Sequence, residues 1–522
     1  RMEFGDSSNH LRQQANLNIH LEKNKLCLSG IVCTIGPAST NANILLDMMK
    51  SGMSVARLNF SHGSQSEHTD RIKVIRKALE LYKTASNETY PLAIGLDTKG
   101  PEIRTGNIMQ GSQSKVEIQA GTYVRLTTDP RYKTMSTNRI IYVDYQRLPQ
   151  VIKVGDTVYI DDGKIILNCT QIQTDIIECK VINGGMLGSK KGVNLPGFKL
   201  GLPAVSEQDK EDLSWGIRNN IDMVFASFIH TAGDVRDIRN ALGPLGKDIW
   251  VIAKIETQEA VDNIEQIIEA SDGIMIARGD LALQIPIEKV FLAQKSIIAK
   301  CNLRGKPVIC ATQMLESMLD NQRPSRPDVS DISNAILDGA DCVMLSGETA
   351  VGKYPVECVK TMTKICKEAE AAVWNGRLLQ EMLANSSSLD ERNAISAASV
   401  VTATLCKASA IILSSGSSVE LSELISKYKP RCPILAVTKD INFAEKIGLF
   451  RGVHPIISET GTFSTGLEAQ QLLQNVLGYV KSKGFVNNGD RVLFLRKGIK
   501  VSKSYKDRFL LEVLTVTDLN EK

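Results

Sequence analysis

Short apolar, β-rich runs recur along the chain. Each ends in polar side chains and gives way to helical spacing. The runs lie at 31–35, 55–61, 92–98, 223–227, 251–256, 274–277, 307–312 and 342–346. Between them, apolar residues three and four apart predict helices, among them 44–50, 68–81, 209–219, 289–303 and 331–337. Eight alternations of strand and helix predict a (β/α)8 TIM barrel of the α/β class.

The pattern is densest in the stretch VIAKIETQEAVDNIEQIIEASDGIMIARGDLALQI, residues 251–285. Residues two apart on a strand share a face, so Lys254 and Glu256 leave one strand end in one direction. A helical segment follows, and the next strand ends in Arg278-Gly279-Asp280. An unpaired ammonium inside Val-Ile-Ala-Lys-Ile would be costly, which predicts Glu256 or Asp280 as the partner of Lys254. That pairing alone would be a structural salt bridge. Chemistry in parallel sheets gathers at the strand ends where these residues sit.

One interval is too long for a simple connection. Residues 101–203 hold short strand patterns at 116–118, 123–126, 139–143, 157–160 and 165–167, separated by turn signals such as Asp161-Asp162-Gly163 and Asn183-Gly184-Gly185. They predict a small β-barrel inserted after the third barrel strand, placed as a lid over the mouth. The barrel itself is expected over 26–100 and 204–372, after a polar extension at 1–25 that lacks the apolar core of a secretory signal. From 373 to 522 the pattern restarts as a separate α/β domain, with strands near 410–413, 434–437, 491–495 and 510–516.

Composition narrows the class. Of 522 residues, 62 are basic and 58 acidic, for a net charge of +4. This near balance gives no electrostatic case for nucleic acid or a membrane partner, and no apolar run reaches membrane-spanning length. The eleven cysteines are scattered in apolar runs, with no zinc spacing, which predicts reduced thiols and a cytoplasmic protein.

The predicted barrel mouth collects Arg57, Asn59, Ser61, Asp97, Thr98, Lys254, Glu256, Asp280, Thr312, Ser346 and Glu348. Glu256 and Asp280 are hard oxygen donors suited to Mg²⁺ or Mn²⁺ with substrate oxygens completing the shell. Arg57 and Lys254 suit a phosphoryl group. Asn59, Ser61, Asp97 and Thr98 suit a monovalent cation, or simply tie loops together. The backbone N–H groups of 277–279 offer a small anion nest. Together these point to phosphoryl transfer, and the absence of GxxxxGK[ST] excludes a P-loop nucleotide site.

At these residues the chain resembles the pyruvate kinase family. The likeness lies in CTIGP (33–37), SGMSVARLNFSHG (51–63), LDTKGPEIRTG (96–106), YIDDG (159–163), KKGVNLPG (190–197), LPAVSEQD (202–209), DMVFASFI (222–229), SDGIMIARGDLA (271–282), GKPVICATQMLESM (305–318) and DGADCVMLSGETAVGKYP (338–355). It implies phosphoryl transfer from phosphoenolpyruvate to ADP, giving pyruvate and ATP, the last step of glycolysis, in a homotetramer. By the same resemblance Arg57 and Lys254 would bind the moving phosphoryl group, and Glu256 and Asp280 would hold Mg²⁺. Gly279, Asp280 and Thr312 would meet the substrate. Asn59, Ser61, Asp97 and Thr98 would form a K⁺ site, with Glu102 the residue type that accompanies K⁺ dependence. Arg104 and Lys191, with Asn59, would meet the nucleotide phosphates.

Departures from the family pattern, at Thr257, Ala282 and His230, remove none of these groups. In the last domain, Ser414-Ser415-Gly416-Ser417-Ser418 matches the family's effector-loop position, either a cradle for a sugar-phosphate effector or an ordinary strand-to-helix turn. The distal loop 496–504 departs from the usual pattern. Two other readings compete: a metal-dependent lyase or aldolase acting on a 2-oxo acid, and an inactive metabolite-sensing scaffold.

Overall fold

The structure is a computed structural model describing residues 9–109, 115–198, 201, 203–385, 390–414, 418–458, 466–497 and 509–517. Eight parallel strands close into a barrel: Gly30–Thr34, Val55–Asn59, Ala93–Asp97, Met223–Ala226, Trp250–Ile255, Gly273–Ala277, Val308–Ala311 and Cys342–Leu345. Each pairs with its neighbours in sequence, and the first pairs with the last, Gly30 opposite Cys342.

Strand parity decides what faces the axis. Val32, Val55, Phe225, Ile252, Met275, Ile309 and Met344 form one apolar cluster inside the barrel. Val251, Ala253 and Ile255 belong to the other cluster, packed under the helices. Two residues beyond Val32, Val55, Phe225 and Ile252 the same face carries Thr34, Arg57, Ser227 and Lys254. The lower barrel is therefore filled and dry, and its upper layer is polar. Gly95 permits the filling beneath, because a Cβ there would lie 2.4 Å from Phe225 Cε2.

The inserted domain carries a six-stranded sheet in the order Val193–Asn194, Thr157–Ile160, Ile165–Ile172, Ile176–Asn183, Tyr123–Thr127, Ile140–Tyr142. It curls: Arg104 bridges Gly192 at one edge while Thr105 bridges Val143 at the other. Strand Ile176–Asn183 was not legible in the sequence. Asn183-Gly184-Gly185 does not simply reverse the chain; it releases it to a second pairing, Gly185–Leu187 against Val116–Ile118. A Cβ at Gly184 would lie 2.2 Å from Ile118 O, so this crossing requires glycine.

The last domain holds a five-stranded sheet in the order Val453–Ile457, Ile434–Thr438, Ala410–Leu413, Arg491–Lys497, Phe509–Thr515, the final strand antiparallel. Strand Val453–Ile457 and helices Asn375–Ala384 and Glu391–Leu405 also escaped the sequence reading. This domain meets the bottom of the barrel. Leu449 joins the interior cluster, Phe450 stacks edge-on against Trp250, and Lys429 pairs with Asp341 in a buried contact.

Candidate active site

Lys254 stands at the centre of the polar layer. Its Nζ donates to Ser227 Oγ (2.7 Å) and Asp97 Oδ1 (3.1 Å) and pairs with Glu256 Oε1 (2.9 Å). Of the two partners expected, Glu256 is one. The second actual partner is Asp97, which the sequence places at the mouth but not against Lys254, and Asp280 makes no direct contact with the ammonium. Burial by itself would lower the ammonium's pKa. Asp97 and Glu256 outweigh that, with a further contribution from Asp280, and hold it well above the usual lysine value. The group is a fixed cation.

Arg57 is the second. Its Nε donates to Asp97 Oδ2 (2.7 Å) and its Nη1 to Thr34 Oγ1 (2.7 Å). One carboxylate thus spans both cations. Asp97 is 1 % exposed. Burial raises its pKa, but Arg57 and Lys254 reverse the effect, so it stays ionised. The floor therefore presents two cations sharing one anion, Asp97, with Glu256 holding the ammonium from its other side.

Glu256 is fixed at both oxygens, because Oε2 accepts from Phe228 N (2.6 Å). Asp280 is different. Burial and the neighbouring Glu256 push its carboxyl up to about 7, against the pull of Lys254. Two carboxyls crowd one another there, and one of them lacks sufficient positive charge. That donor set fits a hard divalent cation, with open positions for substrate oxygens. Among the described residues no group of three or more His, Cys, Asp or Glu side chains is placed to hold a metal.

Thr312 abuts Asp280's segment: a Cβ on Gly279 would lie 2.7 Å from Thr312 Cγ2. Asn59 and Asp97 lie directly opposite in register. Asn59 Oδ1 accepts from Ser61 N (3.1 Å), and Thr98 Oγ1 accepts from Ser227 N (3.0 Å). These four oxygen-bearing residues lie along neighbouring strand ends; Asn59 and Thr98 already tie loops, and Asp97 already holds the two cations. Ser346 and Glu348 do the same. Glu348 accepts from Leu315 N (3.0 Å) and Ser346 N (2.7 Å) and is 1 % exposed.

The lid brings its own cations. Arg104 pairs with Glu102, and Lys191 with Asp161 Oδ1 (2.9 Å). Burial, then Arg104, Arg57 and Lys191, depress the pKa of His62, which places lid and barrel cations around one imidazole. Ser227, His62, Asp161 and Asp162 are site residues the sequence reading missed. Ser227 was recoverable, since it shares the interior parity of Met223 and Phe225. The 277–279 nest is only the start of a four-residue helix, Arg278–Leu281. Of the expected effector loop, Ser414 is buried at a strand end and Ser418 opens helix Ser418–Lys427. Residues 415–417 and 498–508 lie outside the described residues.

A parallel barrel whose mouth pairs two fixed cations with two crowded carboxylates, under a curled lid carrying more cations, defines an enzyme for phosphorylated substrates. The chain matches the family model for the pyruvate kinase barrel domain over residues 27–359 and that for the pyruvate kinase alpha/beta domain over 393–505. It is 45 % identical to pyruvate kinase PKLR of Homo sapiens over 493 residues, 94 % of this chain and 85 % of that protein. It is 44 % identical to a pyruvate kinase of Leishmania mexicana over 484 residues, 92 % of this chain and 94 % of that protein. The chain belongs to the pyruvate kinase family of phosphotransferases.

Proposed function

We propose that this protein transfers the phosphoryl group of phosphoenolpyruvate to ADP, as the last step of glycolysis. The observation that carries the proposal is the buried floor of Lys254, Arg57 and Asp97 facing the Glu256–Asp280 carboxyl pair. Arg57 and Lys254 hold the moving phosphoryl group, and Lys254 offsets its charge as it passes between oxygens. Gly279, Asp280 and Thr312 seat the rest of the substrate. Glu256 and Asp280 are the ligands for Mg²⁺ or Mn²⁺, which when bound neutralises substrate oxygens. Arg104 and Lys191, with Asn59, take the nucleotide phosphates in place of the lid carboxylates they now pair with. The P–O bond of phosphoenolpyruvate breaks, a new P–O bond forms to ADP, and the enolate takes one proton at its methylene carbon, beside Thr312, to give pyruvate.

K⁺ is assigned to Asn59, Ser61, Asp97 and Thr98, with Glu102 supporting K⁺ dependence. Localisation is proposed as cytoplasmic and assembly as a homotetramer. Among the described residues no helix is long and apolar enough to cross a membrane. A sugar-phosphate effector is proposed at Ser414, Ser415, Gly416, Ser417 and Ser418. Ser414 ends the strand where the sheet order reverses, a position at which open α/β sheets bind ligands.

The test is a coupled assay of pyruvate formation from phosphoenolpyruvate and ADP, with and without Mg²⁺ and K⁺ and with a panel of sugar phosphates. Phosphoryl transfer needing both ions is expected. Absence of ATP formation sinks the assignment, and equal rates with and without K⁺ remove the monovalent site.

A further inference from the structure

Arg278 follows the sixth barrel strand, and the reaction proposed above gives its side chain no part. Its guanidinium reaches across to the end of the seventh strand. There Nε donates to Ala311 O (3.0 Å) and Nη2 to Thr312 O (2.8 Å). Asp331, on helix Arg326–Leu337, grips the same guanidinium at 2.6 and 2.7 Å. The Arg278 side chain is only 14 % exposed. A planar fork held on one side by a carboxylate and on the other by two backbone carbonyls is a rigid brace.

What it braces is unusual. Thr312 has φ +77° and the next residue, Gln313, +56°. A β-branched residue stays in the left-handed region only where its surroundings hold it. Thr312 is held twice: its carbonyl by Arg278, and its methyl against the bare backbone of Gly279, where a Cβ would stand 2.7 Å away.

We propose that Arg278, locked by Asp331, is a positioning residue that keys Thr312 to the Gly279–Asp280 segment and so places Thr312 for proton delivery to the enolate. The inference rests on the phosphoenolpyruvate reading above. It predicts that loss of the fork disturbs the protonation half of the reaction while leaving the divalent-cation site intact. A displacement of about 1 Å in such a group can cost a hundredfold in rate.

The experiment compares Arg278→Lys and Asp331→Asn with the parent protein. Three readouts are taken: steady-state turnover with phosphoenolpyruvate and ADP, Mn²⁺ affinity by titration, and exchange of the methyl protons of pyruvate for deuterons in D₂O, followed by NMR. In the exchange, one C–H bond breaks, its proton passes to solvent and a deuteron takes its place. Expected are falls of about tenfold to a hundredfold in kcat and exchange together, with the KM for phosphoenolpyruvate and the Mn²⁺ affinity within about threefold of the parent's. Asp331→Glu, which restores the anion, should recover part of the loss.

Turnover and exchange both near the parent's overturn the inference. So does Mn²⁺ affinity falling by the same factor as kcat, which would make the brace a general support of the site. Collapse of both variants overturns it as well, since it assigns the pair to the fold rather than to Thr312. A parent that forms no ATP from phosphoenolpyruvate refutes the functional reading itself, a result distinct from all of these.

Discussion

The two ends of the barrel each bury a lysine against an aspartate, and the outcomes are opposite. At the top, Lys254 faces Asp97 and Glu256 and shares Asp97 with Arg57; its pKa is driven up. At the bottom, Lys429 faces Asp341 alone, with Arg451 nearby. Burial dominates there and its pKa is driven down. The top has carboxylates to spare, so the ammonium stays charged and still has partners when a substrate anion arrives. The bottom sets two cations, Lys429 and Arg451, against Asp341 and Glu370, and burial outweighs both anions. Burying an ion pair is therefore no sign of function in itself. The sign lies in the surplus of opposite charge around it.

The largest expected effect comes from breaking the upper lysine. Lys254→Met should lower kcat by about a thousandfold, the scale for removing one preorganised group facing developing charge. The coupled assay measures it, and turnover close to the parent's would erase the distinction between the two ends.

The lower lysine should behave in the opposite sense. Lys429→Met leaves Asp341, 2 % exposed, without its ammonium, which should cost about 3 kcal/mol or more in denaturant unfolding. Activity per folded molecule should stay within about threefold, since no group at the mouth is touched. The double variant Lys429→Met/Asp341→Leu should regain most of the stability, because matched apolar replacement of a buried pair is often neutral. A large loss of turnover in a stably folded Lys429→Met protein would show that the lower end also controls the chemistry.

The same contrast explains what the sequence could reveal. Barrel strands were legible because both of their faces are buried, so each reads as a short continuous apolar run, and the polar residues at its end mark the mouth. Lys254, Glu256 and Arg57 were found that way. The Asp97 bridge was not, because it joins residues 40 and 157 positions apart, and period alone says nothing about which strand ends touch. Lys429 was invisible for the same reason: it lies in a turn with φ +48° and meets the barrel only through the folded interface. Strand Ile176–Asn183 was lost for a different reason. Its burial alternates, with Ile177, Cys179 and Val181 inward, but Asn183-Gly184-Gly185, which includes its last residue, was read as a turn signal and no strand was assigned before it.

The upper end also makes a prediction in pH. The Asp280 carboxyl is raised to about 7, chiefly by burial and then by Glu256. The divalent cation proposed at Asp280 would displace that proton, so its affinity should be full above pH 7 and fall as pH drops through it, by up to about tenfold per unit. Mn²⁺ titrations at pH 5.5, 6.5 and 7.5 would measure this. In Asp280→Asn the slope should vanish along with most of the affinity. A flat profile in the parent would mean that Glu256 alone sets the cation's binding.

The smallest effect tests the layer separating the two ends. Phe225 fills the barrel between the charged mouth and the lower end, and it can do so because position 95, opposite Met223 in register, has no side chain. Gly95→Ala would put a Cβ 2.4 Å from Phe225 Cε2, so the ring or the strand must move. Overpacking of this kind costs about 1–3 kcal/mol. Asp97 lies two residues on along the same face of the strand, so the displacement should also reach the anion that spans Arg57 and Lys254. A loss of about 1–2 kcal/mol in thermal or denaturant unfolding, with a severalfold fall in kcat, is expected. Phe225→Leu in the same background should restore both by vacating the space. If stability falls and kcat does not, the apolar layer insulates the mouth from strain below it, and the two ends of the barrel are mechanically as well as electrostatically separate.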